Sequence, residues 1–393
     1  MKDTYAILWK PVEGTSHSER GDRLGSDNEV VADAPPRLEF ESLDDQQASE
    51  IINSPQAEAI APVMPTALIE PVELATPPTS GVGQPWGIAA TGADSSKFTG
   101  KGITVAVLDT GIERGHPCFA GMDIREMDFT GSGHGDGRGH GTHCAGTIFG
   151  QEVGGIRYGV APGIKKALVG KVLGKDGRGT TQMIFQGLAW AIAQHADIIS
   201  MSLGLNFSGQ VARRVADGWP VDLATSRALD DFRSTIRMFD SIVNVAHAGE
   251  AFGHVSLVIA ATGNDSRREI DADYRIAAGT PAVACDISVA ALKQDGAKLA
   301  VAEFSNSKPS IAAPGVDVVS AWLNGAFKSL NGTSMACPHV AGVAALWLES
   351  MRASGGVATR TALKSNLLAR ARSNVMIDGT GPVDVGSGLV TAP

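Results

Sequence analysis

Three short motifs in this chain combine residue types that can perform nucleophilic catalysis. A β-branched apolar run ends in Asp109-Thr110-Gly111, which places a carboxylate where a strand would end. His140 and His143 begin a run of small residues, and Ser334 follows a Gly-Thr pair before an Ala- and Gly-rich run. A carboxylate, a histidine and a serine suit acyl transfer, because a hydroxyl is a weak nucleophile until a base removes its proton.

Each motif is also compatible with another chemistry, which the rest of the sequence disfavours. Aspartic proteases need a second Asp-Thr/Ser-Gly so that two carboxylates share a proton, and this chain has none. A His-x-x-His pair can bind a metal ion, but no glutamate follows His140 and no third ligand is evident. The segment around Ser334 resembles a nucleophile elbow, but α/β-hydrolases have the order Ser, acid, His, whereas this order is Asp109, His140, Ser334.

The residues between these motifs indicate which elements must position them. From residue 100 onward, short apolar runs alternate with stretches of helical periodicity. This alternation predicts an α/β fold with a doubly wound, mostly parallel sheet flanked by helices, and chemistry at the carboxyl ends of the strands. The predicted strands are 103–108, 167–172, 198–203, 255–261 and 287–291, and the predicted helices are 180–195, 222–247 and 334–351.

The first 80 residues follow a different pattern, which predicts a small N-terminal α+β module. Ser42 and Asp45 are positioned like the cap of a predicted helix. A Pro- and Gly-rich linker follows at residues 75–84, so we divide the chain into a segment 1–80 and a domain 81–393. The predicted elements of the module are strands at 4–10, 37–41, 57–63 and 66–73, a polar loop at 14–35 and a helix at 42–53.

The three motifs, in this order, resemble those of the subtilisin-like serine proteases, the subtilases. The resemblance spans about residues 84–391 and implies a subtilisin-like fold and a serine endopeptidase that acts on extended polypeptides through an acyl-enzyme. By matched position it implies Ser334 as nucleophile, His140 as general base and Asp109 as the carboxylate that orients it. His143 would then be structural. The motifs are Val107 to Ile112, His140 to Gly146 and Gly332 to Ala336.

Further stretches resemble the parts of the family that bind substrate. The segment ending in Asn264 resembles the oxyanion-hole segment, so the resemblance implies that the Asn264 amide and the Ser334 N–H donate to the oxyanion. Two other stretches resemble the strands that pair with an extended peptide and line the first specificity pocket. Their residues are Gly177, Arg178, Gly179, Ser202, Leu203 and Gly204.

The sequence also departs from the family pattern at two places. Cys118 stands where many subtilisins supply a calcium carboxylate, and Val153 where an amide ligand is usual, so we expect that strong calcium site to be absent and no cofactor to be required. A structural calcium ion elsewhere remains compatible with the sequence. The chain also carries an insertion near residues 206–250 that borders the specificity pocket, and it could restrict substrates, dock a partner or be a solvated elaboration.

The front segment weakly resembles the inhibitory propeptide of the family. The resemblance implies a zymogen in which residues 1 to about 80 assist folding and inhibit the protease in cis, with release within 75–83. The alternative is a subtilase-fold regulatory or interaction protein whose site is permanently blocked. The two differ in whether Ser334 reacts with an active-site label.

Charge and apolar patterning restrict the partners. The chain of 393 residues has a formal charge of −9, which disfavours nucleic-acid binding. Residues 1–80 carry 15 acidic and 5 basic side chains, and the remainder carries 27 and 28. The absence of a signal-peptide pattern and of a long apolar run predicts no membrane partner and a cytoplasmic location, with leaderless export left open. The four cysteines are not arranged as a disulfide framework or a zinc site.

Overall fold

The computed structural model describes residues 2–11, 37–73, 84–205 and 207–393. The predicted loop at 14–35 and nearly all of the predicted linker at 75–84 lie outside these residues. The front segment contains β1 (Asp3–Trp9), β2 (Arg37–Leu43), α1 (Asp45–Ile52), β3 (Ala57–Pro62) and β4 (Pro65–Leu68).

The larger part of the chain begins with a short helix and then alternates strands with helices. Up to the insertion its elements are α2 (Trp86–Ala90), β5 (Thr104–Asp109), β6 (Asp123–Asp128), α3 (His140–Phe149), β7 (Glu152–Val153), β8 (Ile156–Arg157), β9 (Lys166–Lys171), β10 (Arg178–Thr180), α4 (Thr181–Ala193), β11 (Ile198–Met201) and β12 (Leu203–Gly204). The elements that follow are α5 (Phe207–Ala216), α6 (Val221–Ala248), β13 (Leu257–Ala261), β14 (Ile287–Asp295), β15 (Lys298–Val301), β16 (Ile311–Pro314), β17 (Val318–Ala321), β18 (Phe327–Leu330), α7 (Thr333–Ala353), α8 (Arg360–Ala369) and α9 (Pro382–Val385).

A mostly parallel sheet forms the centre of the molecule. Within the described residues it has eight strands in the order β15, β14, β13, β11, β5, β9 and β6, with β16 also paired to β14. Its neighbouring strands are parallel, except that β15 runs antiparallel to β14. The predicted α/β class and the mostly parallel sheet are therefore confirmed.

Helices cover both faces of this sheet. Successive side chains of a strand point to opposite sides, and here both sides are apolar. Val105 and Val107 of β5 pack in a cluster with α3 and α7, whereas Ala106 and Leu108 pack with α4 and α6. α7 is buried from Thr333 to Leu346, which agrees with its run of small and apolar residues there. No helix in the described ranges has the combination of length and hydropathy that crossing a membrane requires.

The front segment forms its own sheet, in which β1 lies between β2 and β3. The predicted cap of its helix is wrong. α1 begins at Asp45 and is capped by Asp44, whereas Ser42 lies in β2. The Asp44 side chain accepts from the N–H of Gln47, and the Gln47 side chain accepts from the N–H of Asp44. This reciprocal pair satisfies two backbone donors and therefore fixes the helix cap at Asp44, two residues later than expected.

The last predicted strand of the module also differs from the expectation. Residues 66–73 were predicted as a strand of the module, but the observed strand, β4, ends at Leu68 and pairs with β10 on one side and β12 on the other. After β3 the chain leaves the front sheet, and β4 lies on the larger part of the molecule. The front segment is thus joined to the remainder through backbone hydrogen bonds as well as side-chain packing.

Candidate active site

The carboxyl ends of three neighbouring strands bring the predicted polar residues to one edge of the sheet. β5 ends at Asp109, β11 leads directly into Ser202, and β13 leads into Asn264. These strands are adjacent in the order β13, β11, β5. His140 is the first residue of α3, and Ser334 lies in the first turn of α7. The fold therefore gathers residues that are more than 200 positions apart in sequence.

Asp109 and His140 form a buried, directly hydrogen-bonded pair. Nδ1 of His140 lies 2.8 Å from Oδ1 and 3.0 Å from Oδ2 of Asp109, and both side chains are about 1% exposed. Gly139 precedes the helix with φ of 95°, a conformation that favours glycine, and a Cβ there would lie 2.8 Å from the Trp322 ring. The close approach of α3 to its neighbours therefore depends on this glycine.

Asp136 holds the turn that leads into His140. Its carboxylate accepts hydrogen bonds from the backbone N–H groups of Arg138, Gly139 and Thr142 and from the hydroxyl of Thr110. Burial alone would raise the pKa of Asp136, but these hydrogen bonds outweigh it and hold the pKa below its ordinary value. The ionised carboxylate thus organises the backbone on which His140 sits.

Ser334 is turned toward a segment of the same chain. Its Oγ donates to the carbonyl oxygen of Ile69 at 3.2 Å. Nε2 of His140 is buried and has no hydrogen-bond partner among the described residues. The backbone carbonyl of Ser334 accepts from Ser202 Oγ at 3.2 Å and lies 3.4 Å from Cys144 Sγ. The Ser202 hydroxyl therefore binds the start of α7 and not the segment that contains Ile69.

The Asn264 amide is oriented by the start of α7. Its Oδ1 accepts from both the backbone N–H and the hydroxyl of Thr333, each at 2.9 Å. These bonds direct Nδ2 outward, where it donates to the carbonyl oxygen of Glu70 at 2.9 Å. Thr333 was not singled out from the sequence. Its position beside Ser334 at a helix start could have indicated this contact, because a hydroxyl there often forms a hydrogen bond with a neighbouring polar group.

Residues 65–72 cross the site, with residues 65–68 forming β4 and residues 69–72 continuing past Ser334 without regular secondary structure. β4 lies between two strands, with Ala67 opposite Arg178 and Leu68 opposite Leu203. The N–H of Leu68 also donates to the carbonyl of Gly177 at 2.8 Å. The predicted substrate-binding residues from Gly177 to Gly179, with Leu203 and Gly204, are thus the ones that contact this strand.

The far side of the segment is held by Asn331. The N–H of Val72 donates to the Asn331 carbonyl at 2.8 Å, and the Asn331 side chain donates to the Val72 carbonyl at 2.9 Å. Asn331 was also missed from the sequence, because an asparagine before Gly-Thr-Ser is equally compatible with a simple turn. The segment is therefore bound on both sides of Ser334.

His143 and the cysteines next to the site are buried among apolar groups. Nε2 of His143 donates to the carbonyls of Val318 and Lys328, and burial lowers its pKa to about 3. The imidazole therefore stays neutral near pH 7. Burial raises the pKa of Cys144 well above its usual range and that of Cys337 to about 11. Both thiols are consequently protonated at neutral pH.

A comparison with protein-family models matches residues 100–382 to the Subtilase family. The chain belongs to the subtilase family. Subtilisin BL of Lederbergia lenta is 34% identical over 316 residues, which cover 78% of this chain and 97% of the relative. M-protease of Shouchella clausii (strain KSM-K16) is 34% identical over 316 residues, covering 78% of this chain and 68% of the relative.

More distant relatives are also proteases. Alkaline serine exoprotease A of Vibrio alginolyticus is 31% identical over 297 residues, covering 74% of this chain and 46% of the relative. With the mostly parallel sheet, these matches confirm the predicted subtilisin-like fold. This subtilase is a serine endopeptidase that acts on polypeptides.

Cys118 and Val153, which the sequence predicts at the position of the usual subtilisin calcium site, offer no side-chain oxygen to that ion. Cys118 is buried, and burial raises the pKa of its thiol to about 12. Val153 offers no side-chain oxygen, whereas calcium requires oxygen ligands. Within the described ranges, the cluster of potential metal ligands is Asp109, His140 and Cys144, which is the site itself. The absence of a required cofactor stays a prediction.

The insertion of this subtilase forms α5 and α6 in its described part. Arg227 of α6 lies 3.3 Å from an Asp45 oxygen of the front segment. The rings of Phe207 and Phe232 pack edge to face at 5.7 Å, and both line the pocket that also contains Ile69. The insertion therefore contacts both the front segment and the pocket beside Ser334, and its role stays a proposal.

Proposed function

We propose that Asp109, His140 and Ser334 hydrolyse peptide bonds through an acyl-enzyme. Oγ of Ser334 attacks the carbonyl carbon while its proton passes to Nε2 of His140, and the imidazolium then gives that proton to the leaving amine. Water repeats the sequence and releases the acyl group from Ser334. The contact of Asp109 with Nδ1 supports this assignment, because it fixes the tautomer in which Nε2 accepts a proton.

The proposed oxyanion site consists of the Asn264 amide and the backbone N–H of Ser334. Thr333 holds the Asn264 carbonyl oxygen and so leaves Nδ2 free to point toward a substrate carbonyl. Such donors stabilise charge that develops in the transition state, and loss of one reduces kcat by about 10²–10³ in subtilisin. This cost is known for the family and is extended here to Asn264.

Extended polypeptides are the proposed substrates. They would add a strand between β10 and β12, the position that β4 takes here. Backbone hydrogen bonds would supply affinity without regard to sequence, while the pocket beside Gly204 would receive the side chain preceding the cleaved bond. The side chain of Ile69 approaches this wall, because a Cβ at Gly204 would lie 3.6 Å from Ile69 Cγ1.

The observation that carries the proposal of autoinhibition is the register of the chain's own segment. Ser334 Oγ contacts the Ile69 carbonyl, but the Asn264 amide donates to the next carbonyl, that of Glu70. An oxyanion formed at Ile69 would therefore lack the Asn264 donor. With Val72 tied to Asn331, residues 65–72 can block the site without being cleaved efficiently.

Labelling with a fluorophosphonate tests both parts of this proposal. The full-length chain would carry a recognition sequence for a second protease within residues 75–83, and the label would be applied before and after nicking. We expect slow labelling of the intact chain and labelling at least tenfold faster after nicking, with none in Ser334→Ala. Equal rates would contradict autoinhibition. Failure of both forms to label would contradict the enzyme site and support a permanently blocked protein.

A further inference from the structure

We propose that Pro71 prevents the protease from cutting its own segment at the bond whose carbonyl the Asn264 amide binds. This inference rests on the proposed function and deepens it, because it names a residue that lets residues 65–72 occupy the site without being cleaved. Pro71 stands directly after Glu70, and its effect follows from the contacts of the folded chain.

Two neighbouring carbonyls of the segment contact the reactive groups, and each is bound by a different group. Ser334 Oγ donates to the carbonyl oxygen of Ile69 at 3.2 Å, whereas the Asn264 amide donates to that of Glu70 at 2.9 Å. Efficient acylation needs the nucleophile and the oxyanion donor at the same carbonyl. The segment thus presents two bonds to the nucleophile, the one after Ile69 and the one after Glu70.

Each of these bonds lacks one requirement of the reaction. An oxyanion formed at Ile69 would lack the Asn264 donor, and loss of such a donor costs about 10²–10³ in rate. A small shift of Ser334 Oγ toward the Glu70 carbonyl would bring nucleophile and donor together, but the leaving group would then be the nitrogen of Pro71. The second block therefore depends on the identity of residue 71, and a single substitution removes it.

A proline nitrogen is a poor leaving group in a confined site. Cleavage would move the proton of Ser334 Oγ to Nε2 of His140 and then to the nitrogen of residue 71 as its bond to the Glu70 carbonyl carbon breaks. In proline this nitrogen carries Cδ in place of hydrogen, and the ring fixes φ at about −65°. The added carbon crowds the reacting nitrogen, and the fixed φ prevents the following chain from turning aside.

Contacts on both sides hold Pro71 in this position. Before it, the carboxylate of Glu70 binds Arg138, with an oxygen–nitrogen distance of 2.6 Å. After it, the N–H of Val72 donates to the Asn331 carbonyl at 2.8 Å, and the Asn331 side chain donates to the Val72 carbonyl at 2.9 Å. A shift of the segment that presented a different bond to the nucleophile would break these contacts.

Pro71→Ala in the full-length chain restores an ordinary peptide nitrogen and tests the inference. We expect Ser334 to attack the Glu70 carbonyl, which leaves a free amine on residue 71 and, after water hydrolyses the acyl-enzyme, a carboxyl group on Glu70. Mass spectrometry of the denatured variant should show fragments 1–70 and 71–393, and wild type should show neither. Combining Pro71→Ala with Ser334→Ala should abolish both fragments.

Pro65→Ala is the matched control, because it removes the same ring from an exposed position at the start of β4. It should yield no fragment that ends at Glu70. In the Pro71→Ala chain, Asn264→Ala should slow the new cleavage about 100-fold, because the oxyanion loses its side-chain donor. The cleavage rate should not change on dilution. A rate that rises with concentration would mean that the substitution releases the segment for cleavage by another molecule, and would overturn the inference.

Peptides keep the inference testable if the variant chain does not fold. Nonapeptides that copy residues 65–73, with proline or alanine at the seventh position, are added to the nicked wild-type chain described above. We expect hydrolysis of the alanine peptide after its glutamate. The proline peptide should slow fluorophosphonate labelling without being cleaved at that bond.

The outcomes separate this inference from the proposed function. Cleavage of both peptides after glutamate at similar rates, or cleavage of the alanine peptide only at other bonds, would overturn the role of Pro71 alone. The same holds if a folded Pro71→Ala chain, whose nicked form reacts with the label, yields no fragment ending at Glu70. A nicked wild-type chain that neither reacts with the label nor cleaves either peptide would overturn the proposed function as well.

Discussion

Asp136 shows how one half-buried charge can position a reactive side chain that it does not touch. It binds the N–H groups of Arg138 and Gly139 immediately before His140, and it also binds Thr142 within α3. Hydrogen bonds to a charged group are stronger than neutral ones, and a buried donor left without a partner is costly. The placement of both His140 and Arg138 therefore depends on one carboxylate.

Replacement of Asp136 by alanine should destabilise the protein by about 2 kcal/mol at pH 7. The pKa of Asp136 is lowered in the folded state, so its contribution is fully present above the ordinary aspartate pKa of about 4 and is lost as the pH falls through the folded-state pKa. Urea denaturation at pH 7, 5, 4 and 3 measures this, in a Ser334→Ala background that prevents self-digestion.

The matched control is Asp295→Ala, which removes an exposed carboxylate at the end of β14. We expect it to change stability by less than about 0.5 kcal/mol. The difference between wild type and Asp136→Ala should narrow as the pH falls below about 4. A difference independent of pH between 3 and 7 would mean that packing, and not the charge, accounts for the loss.

The predictability of the site differs from residue to residue. Asp109, His140 and Ser334 stand in motifs whose order is diagnostic, so they could be proposed from the sequence, and the structure places them at one edge of the sheet. The contacts of Thr333 and Asn331 could not be predicted, because each joins segments that are distant in sequence. Local patterns do not encode such long-range partners.

At the scale of elements, the alternation along β1 explains how the front segment joins the rest of the molecule. Tyr5 and Ile7 pack in a cluster that includes residues of α1, whereas Ala6 and Leu8 pack in the cluster that includes α4 and α6. One strand thus contributes side chains to two hydrophobic cores, because its side chains alternate between faces. The core that contains Ala6 and Leu8 packs the front sheet against α4 and α6.

Leu8→Ala should weaken this docking and accelerate fluorophosphonate labelling of the full-length chain. Truncation of a buried leucine costs about 3 kcal/mol, which corresponds to a rate increase on the order of 100-fold if release of the segment limits labelling. Ile52→Ala removes the same kind of surface from a side chain of α1 that is 56% exposed, and should change the rate less than about twofold. Equal rates for wild type and Leu8→Ala would show that this face does not hold the segment.

The strands and helices were predicted where apolar periodicity is uninterrupted. The expected strand at 103–108 is observed as β5, and the helix expected at 180–195 is observed as α4, with Thr180 as its cap. β6 was missed because its sequence, Asp-Ile-Arg-Glu-Met-Asp, is mostly charged, as suits a strand at the edge of the sheet. The strand predicted at 66–73 is observed as the shorter β4, and its pairing with β10 and β12 was not predicted, since periodicity alone does not identify a strand's partners.

For the whole molecule, the distribution of charge follows the proposed division at residue 80. The front segment has a formal charge of −10 and the remainder +1, although the complete chain has a pI of about 5.5. Two arginines of the larger part, Arg138 and Arg227, contact acidic residues of the front segment. Charge and apolar packing therefore act in the same direction, toward a docked front segment.

If Ser334 releases the front segment, self-processing should change the charge of the whole protein. We expect the wild-type chain to lose residues 1 to about 80 on incubation and its isoelectric point to rise from about 5.5 toward neutrality, because the acidic excess leaves with them. Ser334→Ala should keep its full mass and acidic pI under the same conditions. Mass spectrometry and isoelectric focusing of both proteins measure the change, and addition of wild-type enzyme to Ser334→Ala distinguishes cleavage in cis from cleavage in trans. Identical masses for the two proteins after incubation would contradict self-release and leave docking of the segment as a lasting state of the enzyme.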